Sequence, residues 1–316
     1  YEFSPDVITL DLEMPGMDGF TFLRLVTQSR PLPVIVVSSR SEDRAIFRAL
    51  ELGATDFIAK PSARISSDIQ RIAQELRFKV ENIRKVALSN LMQFERGLKP
   101  AAGRGAVAEV RMQETPSCVV VGSSTGGPAA LHYLLSELPP RFDIPIAIAQ
   151  HMPRGFTKPF AERLSKRLGR DVIEGEDGRL LQPGQVILAP GGKHLLIENS
   201  TRGPKLTIAD PAESDRFIPS VDRLFESAVE VFEERIDAVI LTGMGNDGLK
   251  GARVVHDAGG HVIAESQETA VVYGMPREVV EAGLADKVAA LPEIPRLLAA
   301  AVNKPRAKPR GKAARA

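Results

Sequence analysis

The chain has 316 residues, 43% of them hydrophobic and 26% charged, and a formal net charge of +1. This length and balance describe a globular protein with room for two domains and exclude a disordered or fibrous chain. The apolar runs fall short of the roughly 18–20 residues of a membrane span, and a single cysteine, Cys118, excludes an intramolecular disulfide framework.

In chain order, a first α/β pattern occupies residues 1–83. Strand-like runs at 7–10, 34–37 and 57–59 alternate with helical segments. Ile69, Ile72, Ala73, Leu76, Val80 and Ile83 then mark a closing amphipathic helix. Asp11 follows the first run, in Leu10-Asp11-Leu12-Glu13-Met14-Pro15-Gly16, and by itself reads as a turn-forming aspartate. From 84 to 116 the periodicity decays into Gly, Ala and charge, with Pro100 and Gly103 as breakers; this is a linker, helical at its start.

A second alternation occupies 117–302, with strands at 118–121, 144–149, 186–189, 195–198, 238–241 and 261–264. Such alternation predicts a doubly wound, mostly parallel sheet covered on both faces. Cys118 opens the first of these strands and reads as a buried structural thiol. Leu131, Leu134, Leu135 and Leu138 form the stripe of the first helix, so His132, off that stripe, is expected to face solvent. The last segment, 303–316, holds Lys304, Arg306, Lys308, Arg310, Lys312 and Arg315 and no acid, which leaves the rest of the chain net negative. It reads as a solvated, disordered basic tail with no specific nucleic-acid partner.

Three strand ends carry chemistry. Val119-Val120-Val121 stops in Gly122-Ser123-Ser124-Thr125-Gly126-Gly127, which fits the G-x-S-x-G elbow with Ser124 as nucleophile. Gly-rich strand–helix turns also bind phosphates. Two features favour the nucleophile: the dinucleotide pattern needs Gly where Ser124 stands, and the next strand leads to His151 rather than to an acid. Of His132, His151, His194, His256 and His261, only His151 directly follows a strand, with Met152-Pro153 stopping it. It is a base for Ser124 or a structural histidine. Thr242-Gly243-Met244-Gly245-Asn246-Asp247-Gly248 follows another strand, and Asp247 either orients His151 or caps the next helix. The order Ser, His, Asp differs from the hydrolase, chymotrypsin and subtilisin orders.

These motifs, with Gln150-His151-Met152-Pro153, Pro219-Ser220-Val221-Asp222 and Val272-Tyr273-Gly274-Met275-Pro276, resemble those of the chemotaxis protein-glutamate methylesterases, the CheB family. Its members are response regulators with a C-terminal esterase domain. The resemblance implies a partial flavodoxin-like receiver domain over 1–83 and a Rossmann-like methylesterase domain over 117–302. It implies a triad of Ser124, His151 and Asp247, with the Met244 N–H in the oxyanion hole. It further implies γ-methyl esters of glutamate on methyl-accepting chemotaxis receptors as substrate, glutamine deamidation as in many members, and no cofactor for hydrolysis. A chemotaxis histidine kinase would be the phosphodonor, and the setting cytoplasmic, at receptor arrays.

In the receiver part the resemblance makes Asp11 the phospho-acceptor, Ser38 the switch hydroxyl, Lys60 the phosphoryl-pairing lysine and Phe57 the switch aromatic. Phosphorylation there uses Mg²⁺, to which Glu13 would offer only its backbone carbonyl. The acidic pair that binds this ion belongs to a first strand upstream of Tyr1, so the sequence is expected to be a piece of a longer protein. Without that strand, residues 7–10 form an unpaired apolar edge. Two rival functions remain: a non-catalytic two-domain signalling module, and a nucleotide-binding α/β protein.

Overall fold

The computed structural model describes residues 4–14, 16–29, 32–38, 43–60, 66–83 and 118–302. The expected linker (84–116) and basic tail (303–316) lie outside them. The N-terminal unit is a parallel sheet of β1 (Ile8–Asp11), β2 (Val34–Ser38) and β3 (Asp56–Ala59), in that spatial order. Helices α1 (Gly19–Ser29), α2 (Asp43–Glu51) and α3 (Ser66–Ile83) follow the strands in turn. The continuous apolar run of β2 is buried on both faces, as a parallel strand between helices requires. Among the described residues β1 has β2 as its sole strand neighbour and forms the sheet edge.

The C-terminal unit is a seven-stranded parallel sheet among the described residues, in the order β12-β11-β10-β4-β5-β7-β6. Its strands are β4 (Cys118–Ser123), β5 (Ile146–Gln150), β6 (Val172–Glu174), β7 (Val186–Leu188), β10 (Ile236–Ile240), β11 (His261–Glu265) and β12 (Lys287–Ala289). The helices are α4 (Gly127–Glu137), α5 (Thr157–Leu168), α6 (Val221–Phe232), α7 (Leu249–Asp257), α8 (Met275–Glu281) and α9 (Ile294–Val302). From the central β4 the chain passes to β5, lays β6 at the edge and comes back to place β7 between β5 and β6, then crosses to lay β10, β11 and β12 on the other side of β4. The switch point falls beside β4, where ligands of doubly wound sheets sit.

The run at 195–198 departs from the expected pattern. It lies in β8 (His194–Glu198), which pairs antiparallel with β9 (Lys205–Ala209) as a separate hairpin. Polar residues interrupt β9, and β6 and β12 are three residues long, so periodicity does not reveal these strands. Cys118 is 1% exposed, and burial pushes its thiol pKa up, as an inert structural cysteine requires. No described helix is long and apolar enough to cross a membrane.

The two units pack against each other. Phe57 lies 5.0 Å from Phe156 and Phe47 stacks on Phe160 at 5.5 Å, centroid to centroid. Glu51 pairs with Arg163 at 2.5 Å and Arg167 at 2.6 Å; these half-exposed pairs fix register more than they add stability. Ile35, Ile58 and Ile83 share one apolar cluster with Met244, Val271 and Val272. His132, expected to face solvent, is half-buried instead. It lines a cavity of about 680 Å³ between α2, α4 and α5, because docking of the N-terminal unit covers that side of α4. Burial lowers its pKa, and Arg167 acts in the same direction.

Candidate active site

In a parallel sheet all carboxyl ends share one rim, so β4, β5 and β10 deliver Ser124, His151 and Asp247 to one place. The ladders continue past the strands. Ser124 N donates to Thr242 O and His151 N to Ser123 O, both at 3.0 Å. Buried Gln150 stitches the first two ends together. Its Oε1 accepts from Ser123 Oγ at 2.7 Å, and its Nε2 donates to Ser124 O at 2.9 Å and His151 O at 3.0 Å. Gly243 lies so close to Ser124 that an added Cβ would sit 2.9 Å from Ser124 Cβ. Only a residue without a side chain lets the β10 turn approach the elbow this way.

His151 Nε2 is 2.7 Å from Asp247 Oδ2, with the His151 side chain 15% exposed and that of Asp247 1%. In the protease template the aspartate holds the other ring nitrogen, Nδ1. Here Nε2 is engaged, which leaves Nδ1 as the nitrogen open to a proton. The Asp247 carboxylate also accepts from Val221 N at 2.7 Å, Asp222 N at 3.0 Å and Ser220 Oγ at 3.1 Å. These donors form the N-terminus of α6, the positive end of its dipole. Burial alone would raise the Asp247 pKa. His151 and the α6 N–H groups outweigh it and hold the carboxyl below the ordinary range.

Asp247 therefore caps a helix, though not the one that follows it. α7 is capped by Asp222, whose Oδ1 accepts Gly248 N at 2.9 Å and Gly251 N at 2.8 Å. The two acids exchange helices. Burial pushes the Asp222 pKa up to about 6, with the Asp247 charge adding to it against the two N–H groups. Phe217 stacks on His151 with centroids 5.2 Å apart and planes 6° apart, and the Arg216 guanidinium lies 5.4 Å from the Phe217 ring centroid. Met244, between Gly243 and Gly245, is 2% exposed and turns its side chain into the cluster shared with Ile83.

Beneath the β10 turn lies fully buried Glu265. Its Oε2 accepts Thr242 N at 2.8 Å and its Oε1 accepts Thr269 Oγ1 at 2.9 Å. Burial pushes its pKa up to about 7 from an ordinary 4.5, against the pull of these two donors. The folded protein thus holds this proton more tightly than the unfolded chain. The associated stability is fully present below about 4.5 and is lost as the pH rises to about 7. Glu265→Gln cannot ionise and keeps an acceptor for Thr242. Relative to wild type it should gain stability from pH 4.5 to pH 8, by on the order of 3 kcal/mol. Denaturant unfolding of both proteins at the two pH values checks this; an unchanged difference would mean that Glu265 does not titrate in this range.

In the N-terminal unit, Asp11, Ser38 and Lys60 meet at the ends of β1, β2 and β3. Asp11 Oδ2 is 2.5 Å from Lys60 Nζ, and its Oδ1 accepts Glu13 N at 3.1 Å. The Lys60 hydrogen bond holds the Asp11 carboxyl below the ordinary range, against a smaller effect of burial. Ser38 is buried, and its carbonyl accepts Lys60 N at 2.8 Å. Phe57 points elsewhere, into the contact with Phe156, and is 3% exposed. No group of three or more His, Cys, Asp or Glu that could hold a metal occurs among the described residues. Among the described residues, the Asp11 carboxylate at the end of β1 is the kind of oxygen ligand that a Mg²⁺ ion takes.

Sequence reasoning passed over Phe217 and Glu265, and it quoted Gln150, Ser220 and Asp222 without a role. Ser220 stands before Val221-Asp222 in an N-cap pattern, which signals a helix start. Nothing in the sequence ties that start to Asp247, 27 positions away.

Comparison with known proteins gives a consistent picture. The family model described as CheB methylesterase matches residues 119–298, and that of the response regulator receiver domain matches 1–70. A protein-glutamate methylesterase/protein-glutamine glutaminase of Geobacter sulfurreducens is 44% identical, over 93% of this chain and 84% of the relative. One of Thermotoga maritima, similarly named, is 41% identical over 94% and 85%. The crystal structure of the Thermotoga maritima CheB methylesterase catalytic domain covers 59% of this chain and 99% of its own, at 43% identity and a TM-score of 0.57.

Proposed function

The chain belongs to the CheB methylesterase family and carries a response regulator receiver domain, and from that premise we propose a receiver-regulated serine esterase acting on glutamate γ-methyl esters of chemoreceptors. The observation that carries the mechanism is the His151–Asp247 pair at the rim where the Ser124 elbow ends. Ser124 Oγ attacks the ester carbonyl while His151 Nδ1 takes its proton. Asp247, on Nε2, fixes the tautomer and offsets the imidazolium charge. The Met244 N–H donates to the oxyanion. Collapse of the intermediate expels methoxide, which takes the proton from His151 and leaves as methanol. Water, deprotonated by His151, then hydrolyses the glutamyl–serine ester. With glutamine the same steps release ammonia. The hydrolysis uses no cofactor.

Regulation has support in the contact between the units. Thr125, next to Ser124, donates to Asp56 of β3, and the switch aromatic Phe57 is buried against Phe156, five residues beyond His151. The receiver thus leans on both loops of the site. Phosphorylation of Asp11 by a histidine kinase would replace its contact with Lys60 and loosen this face; Mg²⁺, when bound, would neutralise charge at the phosphoryl group. The reading is tested by methanol release from methylated receptor membranes. Both the full chain and a fragment of residues 117–316 should release methanol, with the fragment at least as active as the unphosphorylated chain. No methanol from either protein overturns the esterase assignment. An inactive but folded fragment overturns the inhibitory role of the receiver.

A further inference from the structure

A second histidine–aspartate pair lies behind the site. His194 opens β8 with its side chain fully buried, and its Nε2 is 3.0 Å from Asp215 Oδ2. Its Nδ1 accepts Ser220 N at 3.1 Å. A ring nitrogen that accepts from a backbone N–H carries no proton, so His194 is held as the Nε2–H tautomer donating to Asp215. Asp215 is fixed in turn by Ala212 N at 2.8 Å and by Arg223 of α6 at 2.8 Å. Ser220 closes the chain: its hydroxyl donates to Asp247 Oδ1 at 3.1 Å and accepts Arg223 N at 3.3 Å.

Hydrogen bonds therefore run unbroken from Asp215 through His194 and Ser220 to Asp247 and His151. We infer that His194 is a positioning residue of the esterase, which pins Ser220 so that the first turn of α6 holds Asp247 against His151. The inference rests on the proposed triad. The three donors on Asp247 come from consecutive residues, 220 to 222, so they move as one body. What anchors the start of that body is the Ser220 N–H on His194. The charged groups facing His194 are Asp215 from the loop between β9 and α6, Arg223 from α6 and Asp247 from the β10–α7 turn. Burial lowers its pKa, Arg223 adds to this and the two carboxylates oppose it, so the neutral ring is the favoured form. A protonated ring would set an N–H against the Ser220 N–H and push the anchor away.

The experiment compares His194→Phe, His194→Asn and Ser220→Ala in the full chain, by methanol release from methylated receptor membranes. Thermal unfolding confirms that each variant is folded. His194→Phe keeps the volume and loses the acceptor; kcat should fall roughly 10- to 100-fold with KM little changed. In His194→Asn the side-chain oxygen stands one bond from Cγ, as Nδ1 does, and can accept Ser220 N. It should recover most of the lost kcat although its tie to Asp215 is altered. Ser220→Ala should lose a similar factor, and combined with His194→Phe it should be little worse than either alone. Wild-type kcat in folded His194→Phe, or Asn no better than Phe, overturns the inference. If His194→Phe does not fold, wild-type kcat in folded His194→Leu, which also lacks the acceptor for Ser220 N, overturns it. Ser124→Ala run alongside separates the two levels. Full activity there refutes the triad, whereas an inactive Ser124→Ala beside a fully active His194→Phe refutes the positioning role alone.

Discussion

Ser124→Ala and His151→Ala should each lower kcat for methanol release by up to about 10⁶, and Asp247→Asn by roughly 10⁴. The reason is that the three side chains perform one act. Without the base, Ser124 Oγ stays protonated; without Oγ, the base has nothing to activate. Asp247→Asn leaves a side chain in the same cradle of Val221, Asp222 and Ser220 donors. It would present either the wrong tautomer request to His151 or an amide N–H to donors that need an acceptor. The double variant Ser124→Ala/His151→Ala should be scarcely worse than Ser124→Ala. Losses that multiply would mean that the residues act independently, and the triad assignment would be wrong. Covalent labelling by a serine-directed fluorophosphonate, followed by peptide mapping, gives a second measure. Label should appear at Ser124 in wild type and vanish in His151→Ala.

The next largest effect is expected from Gly245→Val, at about 2.7–4 kcal/mol of transition-state stabilisation, or 10²–10³ in kcat. Gly245 has φ +87°, a region that a β-branched residue enters only under strain. Its Cβ would lie 3.1 Å from Phe217 Cζ and 3.7 Å from Phe78 Cζ. Relief of either contact rotates the peptide that carries the Met244 N–H or displaces the ring stacked on His151. Loss of kcat with KM nearly unchanged identifies a donor used in the transition state. Full kcat would move the oxyanion site to the N-terminus of α4. Met244→Ala cannot remove the N–H at all. It empties a place in the cluster shared with Ile83 and so reports on the contact between the units instead.

The sequence by itself determined which local structures form and where they end. β-branched runs next to glycines mark strands that stop in tight turns, and a turn is a local event encoded by adjacent residues. Ser124, His151 and Asp247 were therefore legible as strand-end residues, as was Asp11 ahead of its turn. The parallel, doubly wound character followed from alternation alone. Short or polar strands such as β6, β9 and β12 were not legible, since three residues carry no period. Only the tertiary structure decided who meets whom. Asp222 and Asp247 cap each other's helices across 25 positions, His194 anchors Ser220 across 26, and Glu265 supports Thr242 across 23. Each of these is a polar group that burial forces to find a partner, and the partner is whatever the sheet order brings within 3 Å. Likewise His132 lies off the apolar stripe of its own helix, and nothing in that helix foretells that a second unit covers it. Pattern reads a residue's own element; burial and partner choice are properties of the neighbours that the fold supplies.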